Sequence, residues 1–133
     1  MKTPTYRALV VDDDRADRQL LKHQLHRLSF HVVEAADGRT ALGRLTEEDY
    51  FDLIILDLML PDMSGFQVSE SVRNSPRHRQ VPILVVSART LPEDRAEAEQ
   101  AGASGYLVKP FRSKDLHAEV RRLLALKSAN AGR

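Results

Sequence analysis

Residues 52–65 read DLIILDLMLPDMSG. The apolar run Leu53-Ile54-Ile55-Leu56 meets a single acid, Asp57, and then breaks up at Leu60-Pro61-Asp62 and Ser64-Gly65. A continuous apolar run of strand length reads as a strand buried on both faces, as in a parallel sheet covered by helices. Ligands of open parallel sheets sit beyond the carboxyl ends of the strands. A carboxylate at that end, followed by turn chemistry, is therefore a site candidate. Within this stretch alone, an acid that merely ends a strand and caps a turn explains Asp57 equally well.

The rest of the chain sets the frame. Its 133 residues suffice for one domain with a sizeable core. Hydrophobic content of 42% and charged content of 29% are those of an ordinary globular protein. A formal net charge of +1 gives no electrostatic case for nucleic acid or membrane as a direct partner. The absence of cysteine excludes a disulfide framework, a thiolate metal site and a thiol nucleophile. The opening MKTPTYR lacks the apolar core of a signal peptide, and no apolar stretch approaches the ~18 residues of a membrane span. A cytoplasmic, soluble protein is the expectation.

Residues 6–11, YRALVV, form a short β-rich run that ends in Asp12, Asp13 and Asp14. Residues 15–28 then place Leu21, Leu25 and Leu28 on one helical face with Leu20 beside them. Asp14 and Asp17 have capping-box spacing, which gives Asp14 a structural role and leaves Asp12 and Asp13 to be explained. HVVEA at 31–35 is a second strand, with Asp37-Gly38 as its turn. Residues 39–47 are a modest helix on Ala41, Leu42 and Leu45, weakened by Gly43. The opening stretch supplies the third strand, and 65–72 a helix with Phe66, Val68 and Val72 inward. Val81-Pro82 leads into a fourth strand at 83–86, ending at Ser87-Ala88. Pro92 suits the first turn of a helix running to about residue 101 and closed by Gly102. Residues 105–108 are the fifth strand, ending at Lys109-Pro110. Ser113 caps a last helix carrying Leu116, Val120, Leu123 and Leu124. The domain spans 1–126, and 127–133 form a fraying tail or a truncated linker. Strands alternating with helices give an α/β fold with a parallel sheet and right-handed crossovers.

In a parallel sheet all strand ends lie on one edge. Asp12, Asp13, Asp57, Ser87 and Lys109 then meet there. Three carboxylates in one cleft repel one another and need protons or a cation. Oxygen-only ligation with few protein ligands suits Mg²⁺, which keeps several waters and favours phosphate oxygens. A lysine opposite neutralises a phosphoryl group, and a serine hydroxyl donates to one.

Four motifs in this order carry a family resemblance: the acids after VV, LDLMLPDMSG around Asp57, VVSA at Ser87, and GYLVKPF around Lys109. With them the chain, from about residue 6 to 126, resembles the receiver domain of two-component response regulators. The resemblance implies a flavodoxin-like (βα)5 three-layer sandwich with strand order 2-1-3-4-5. It implies Asp57 as phosphoacceptor, attacking a phosphohistidine on a histidine kinase or histidine phosphotransfer protein. It implies Mg²⁺ held by Asp13, Asp57 and the Met59 backbone carbonyl, with Asp12 acting mainly through a bound water. Lys109 pairs with the phosphoryl oxygens, Ser87 turns in to bond one of them, and Tyr106 reports the change on the face of the fourth helix, fifth strand and fifth helix. It implies a cis Lys109-Pro110 bond, and at most self-phosphorylation and autodephosphorylation as activity.

Departures matter too. LDLMLP and Ser87-Ala88-Arg89 resemble the subfamily fused to winged-helix DNA-binding domains, but Ser104-Gly105 replace the two acids that help its symmetric dimer. The resemblance also implies that Met59 and Arg89 flank the path of attacking water and so should tune phosphate lifetime. The fourth helix, EDRAEAEQA, offers Ala96, Ala98 and Ala101 but no large apolar side chain, so it buries little area and suits either a displaceable element or an ordinary surface helix. Arg73, Arg77, His78 and Arg79 read as a solvated basic loop, and His23, His26, His31, His78 and His117 as surface residues without metal-ligand spacing. The competing functions are a phosphorylation-independent interaction module and a phosphohydrolase. The latter lacks a second acid two residues after Asp57, where Met59 stands. No nucleotide-binding loop is present.

Overall fold

Alternation inside the apolar runs decides which helices each strand carries. In the computed structural model, which describes residues 4–47 and 50–131, five strands alternate with five helices. The strands are β1 (Tyr6–Val11), β2 (Phe30–Ala35), β3 (Leu53–Leu56), β4 (Ile83–Ser87) and β5 (Gly105–Val108). The helices are α1 (Arg15–His26), α2 (Gly38–Glu47), α3 (Gly65–Asn74), α4 (Pro92–Gln100) and α5 (Ser113–Ala131). The strands form one parallel sheet in the order β2-β1-β3-β4-β5, as the family resemblance implies.

All four β3 side chains are fully buried, and successive residues point to opposite faces of the sheet. Leu53 and Ile55 join Ala8, Val10, Leu84 and Val86 under α1 and α5, which contribute Leu21, Leu25, Leu116, Val120 and Leu123. Ile54 and Leu56 join Leu9, Val11 and Ile83 under α2 and α3, through Ala41, Leu45, Val68 and Val72. The sheet thus has a core on each face. Each fully buried side chain of this size contributes about 1.5–3 kcal/mol. The layer over α4 is much thinner: Ala98 is the one buried residue of α4, and it meets Leu58 and Val85. A helix without large apolar side chains can gain no more.

This topology makes a crevice. From β1 the chain crosses one face through α1 to reach β2, then the other face through α2 to reach β3 on the far side of β1. Strand order reverses there, so the connecting helices diverge and leave the carboxyl ends of β1 and β3 open between them.

Several local expectations need correction. Leu20 is 47% exposed, because it lies about 100° around α1 from the buried Leu21. Ser113 does not cap α5: Asp115 and Leu116 N–H both donate to the Arg112 carbonyl, so Ser113 stands inside the first turn. The helix also continues to Ala131, through most of the expected tail. Lys127 has a partner that helical periodicity could not reveal. Its Nζ donates to Asp52 Oδ1 at 2.9 Å and the Phe51 carbonyl at 3.4 Å, while Asp52 Oδ2 accepts from Arg7 N–H at 2.8 Å. Residues 132 and 133 of that tail lie outside the described residues.

Candidate functional site at the carboxyl edge

The ladder sets the acids side by side. Asp12 N–H donates to the Ala35 carbonyl at 3.1 Å and Asp57 N–H to the Val11 carbonyl at 2.9 Å. Both residues therefore leave their strands in register, with side chains directed beyond the sheet. Asp12, Asp13 and Asp57 each bring a carboxylate oxygen within 4.8 Å of the others. Asp12 and Asp57 are buried, whereas Asp13 is exposed at the mouth. An all-oxygen donor set of this kind fits a hard divalent cation that retains waters. The cleft has a volume of about 370 Å³, with Met59, Leu60 and Pro61 along one wall and Lys109 opposite.

Lys109 is the centre of the network. Its ammonium donates to Asp12 Oδ2 at 2.7 Å, Asp17 Oδ2 at 2.8 Å and Asp57 Oδ2 at 2.9 Å. Burial works to lower the lysine pKa, yet these three carboxylates outweigh it and hold the group well above its ordinary value. Burial pushes the Asp12 carboxyl upward, against the opposing pull of Lys109 and of the Asp14 N–H on its other oxygen. Asp57 is held at both ends: Oδ1 accepts from Met59 N–H at 3.0 Å and Oδ2 from Lys109. The peptide bond Lys109-Pro110 is cis, as the resemblance implies.

The loop after Asp57 is built to turn back on itself. Gly65 N–H donates to the Leu58 carbonyl, and Met59 bridges to Ser64. A Cβ on Gly65 would lie 2.5 Å from the Asp57 carbonyl oxygen, so only glycine fits. Ser64 and Gln67 form a full capping box that starts α3. Asp62, a loop breaker in the sequence, reaches back to α2: its two oxygens accept from Gly38 N–H at 2.8 Å and Arg39 N–H at 2.9 Å. Those two bonds hold its carboxyl below the ordinary value.

Ser87 and Tyr106 lie on the next strands. Ser87 is fully buried and its Oγ accepts from Arg89 N–H at 3.3 Å, so the hydroxyl is engaged with its own turn. The Ser87 carbonyl accepts from Lys109 N–H at 2.8 Å, which ties the two strand ends together. The half-buried Tyr106 donates its hydroxyl to the Arg89 carbonyl at 2.9 Å, and the Arg95 guanidinium lies 5.2 Å from its ring centroid. Burial, then the Asp94 carboxylate, raises the phenol pKa, against a smaller contribution from Ser87.

Asp17 belongs to the cluster, although its spacing from Asp14 suggested a capping box. Only half of that box forms. Asp14 Oδ1 accepts from Asp17 N–H, while the Asp17 carboxylate turns to Lys109. A lysine 92 residues away leaves no local sequence signal.

The basic stretch at 73–79 is not simply a solvated loop. Arg73 donates to the carbonyls of Gly102, Arg79 and Val81 at 2.6–2.9 Å and to Ser104 Oγ at 3.3 Å. Burial lowers its pKa. His78 is also buried, with Nε2 2.9 Å from the Leu45 carbonyl. A carbonyl can only accept, so Nε2 carries the proton. Ser104 helps to hold the sheet, since its Oγ accepts from Ile83 N–H at 3.1 Å. Among the described residues, no helix is long and apolar enough to cross a membrane.

Comparison with known proteins agrees with this geometry. A family model described as the response regulator receiver domain matches residues 8–121. The chain is 40% identical over 116 residues to the transcriptional regulatory protein SrrA of Staphylococcus aureus, covering 87% of this chain and 46% of SrrA. It spans about half the length of the curated relatives it matches. Among solved structures it resembles the chemotaxis response regulator CheY4 of Vibrio cholerae, with a TM-score of 0.83 and 37% identity over 89% of this chain and 98% of that one. It also resembles the receiver domain of the sensor histidine kinase PA1611 from Pseudomonas aeruginosa, described with magnesium coordinated in its active-site cleft. There the TM-score is 0.82, with 29% identity over 90% of this chain and 98% of that one. Matching motifs, strand order and edge cluster converge: the chain belongs to the receiver-domain family of two-component response regulators.

Proposed function

We propose that the chain is a phosphorylation-controlled switch in which Asp57 accepts a phosphoryl group from a histidine kinase or histidine phosphotransfer protein. One observation carries this reading. Asp57 stands in the switch-point crevice with Lys109 Nζ 2.9 Å from one carboxylate oxygen and two further acids within 4.8 Å. A buried nucleophile with an ammonium beside it and a cation site next to it is equipped for phosphoryl transfer.

A carboxylate oxygen of Asp57 forms the new O–P bond as the P–N bond to the donor imidazole breaks. The leaving nitrogen keeps the electron pair and takes a proton from solvent. Asp13, Asp57 and the Met59 carbonyl would hold Mg²⁺, with Asp12 acting mainly through a bound water, and the ion would supply positive charge to the phosphoryl oxygens. Lys109 pairs with those oxygens from the opposite side, and Ser87 exchanges its turn contact for one of them. That exchange removes a neighbour of Tyr106 and alters the surface shared by α4, β5 and α5, where an effector protein or a fused output domain binds. Catalysis beyond self-phosphorylation from small donors and autodephosphorylation forms no part of the role.

The test is incubation with Mg²⁺ and acetyl phosphate, followed by intact mass measurement. Wild type should gain one phosphoryl group and Asp57→Asn none. Equal labelling of the two, or none of either, overturns the proposal.

A further inference from the structure

Asp17 sits on the first turn of α1, and the N-cap interaction there uses its backbone only. Its carboxylate extends away from the helix to Lys109. An ammonium has three N–H donors, and on Lys109 all three are committed, to Asp12, Asp17 and Asp57. A phosphoryl oxygen seeking this ammonium must displace one of them.

The three acceptors are not equivalent. Asp12 and Asp57 belong to the oxygen cluster that fits a cation, so a bound cation draws their charge away from Lys109. A phosphoryl group carried on Asp57 replaces the contact to that carboxylate in kind. Asp17 lies outside the cluster, on the α1 wall, with its side chain 41% exposed against 1% for Asp12 and 10% for Asp57. Neither the cation nor the phosphoryl group provides for it.

We propose that Asp17 is a positioning residue that holds Lys109 on the α1 side of the cleft and competes with the phosphoryl group for its ammonium. The proposal rests on the reading of Asp57 as phosphoacceptor. Removing the competitor leaves Lys109 freer to meet phosphoryl oxygens.

The test is a calorimetric titration of beryllofluoride, a phosphoryl mimic, into the protein at saturating Mg²⁺. Asp17→Asn should bind about two- to fivefold more tightly than wild type, the range that a partly exposed ion pair commands. Asp14→Asn is the control: it removes the same charge from the same cleft wall, retains a good N-cap residue and touches no part of Lys109. Its affinity should match wild type. Unchanged or weaker binding by Asp17→Asn overturns the proposal, as does an equal gain in Asp14→Asn, which would be a general field effect. A merely structural role for Asp17 lowers the melting temperature without tightening the mimic. If wild type, Asp17→Asn and Asp14→Asn all fail to bind, the reading of Asp57 falls, and this proposal with it.

Discussion

Lys109 and Arg73 are both partly buried cations that satisfy several acceptors at once, yet they are built for opposite ends. Lys109 faces three carboxylates, of which Asp12 and Asp57 also belong to the oxygen cluster that fits a cation, while Asp17 is partly exposed to water. Arg73 faces the carbonyls of Gly102, Arg79 and Val81, neutral groups that no ligand of the cleft can recruit. A flexible ammonium among charged acceptors can exchange them, whereas a planar guanidinium fork on fixed backbone acceptors cannot. The same formal charge has acceptors it can exchange in one place and is a fastening in the other.

The largest break in this comparison should come from Arg73→Met. Leaving several half-buried carbonyls without a donor costs about 3 kcal/mol. Urea unfolding should show a lower midpoint, while the remaining folded protein still takes one phosphoryl group on Asp57. An unchanged midpoint would mean that water replaces the fork without loss. Tyr106→Ala sharpens the other side. Labelling of Asp57 should persist, while the ratio of partner affinities between the phosphorylated and unphosphorylated states shrinks about fivefold or more. The same ratio in mutant and wild type would remove Tyr106 from the relay. The smallest effect belongs to Asp62→Asn. Because the folded-state carboxyl is held below its ordinary 3.8, its contribution is present above that value and disappears as pH falls through the lowered one. The mutant should melt slightly below wild type at neutral pH, and the two curves should merge in strong acid.

What could be read from the sequence divides along the same line. Asp12, Asp13, Asp57 and Lys109 stand at the ends of apolar runs, and parallel topology alone brings strand ends together. The weak packing of α4 was also legible, since a helix offering only alanines can bury little. Asp17 was hidden because a local explanation, helix capping, already accounted for its spacing. Arg73 and His78 were hidden for another reason. Their acceptors are backbone carbonyls distant in the chain, and every residue has one, so composition carries no trace of which carbonyl is chosen. Lys127 escaped similarly, because a polar residue beyond the last apolar one looks like the start of a tail until Asp52 is folded beneath it.

The Arg73 fork also sets the geometry of any motion in α4. Its far end is fastened: Ser69 Oγ donates to the Ala101 carbonyl at 2.7 Å and the guanidinium grips Gly102, whose φ of +104° closes the helix. At the near end Leu91 is 60% exposed, no side chain caps the first turn, and Asp94 pairs at 3.4 Å with Arg89 of the loop that leads into the helix. A rod pinned at one end and held at the other only by exchangeable side-chain contacts swings instead of sliding. Nine residues make a lever about 13 Å long, so a rotation of about 10° carries the Leu91 end about 2 Å while Ala101 hardly moves. The distance travelled is greatest beside Arg89 and Tyr106, where the cleft is nearest, and falls to nothing at the pivot.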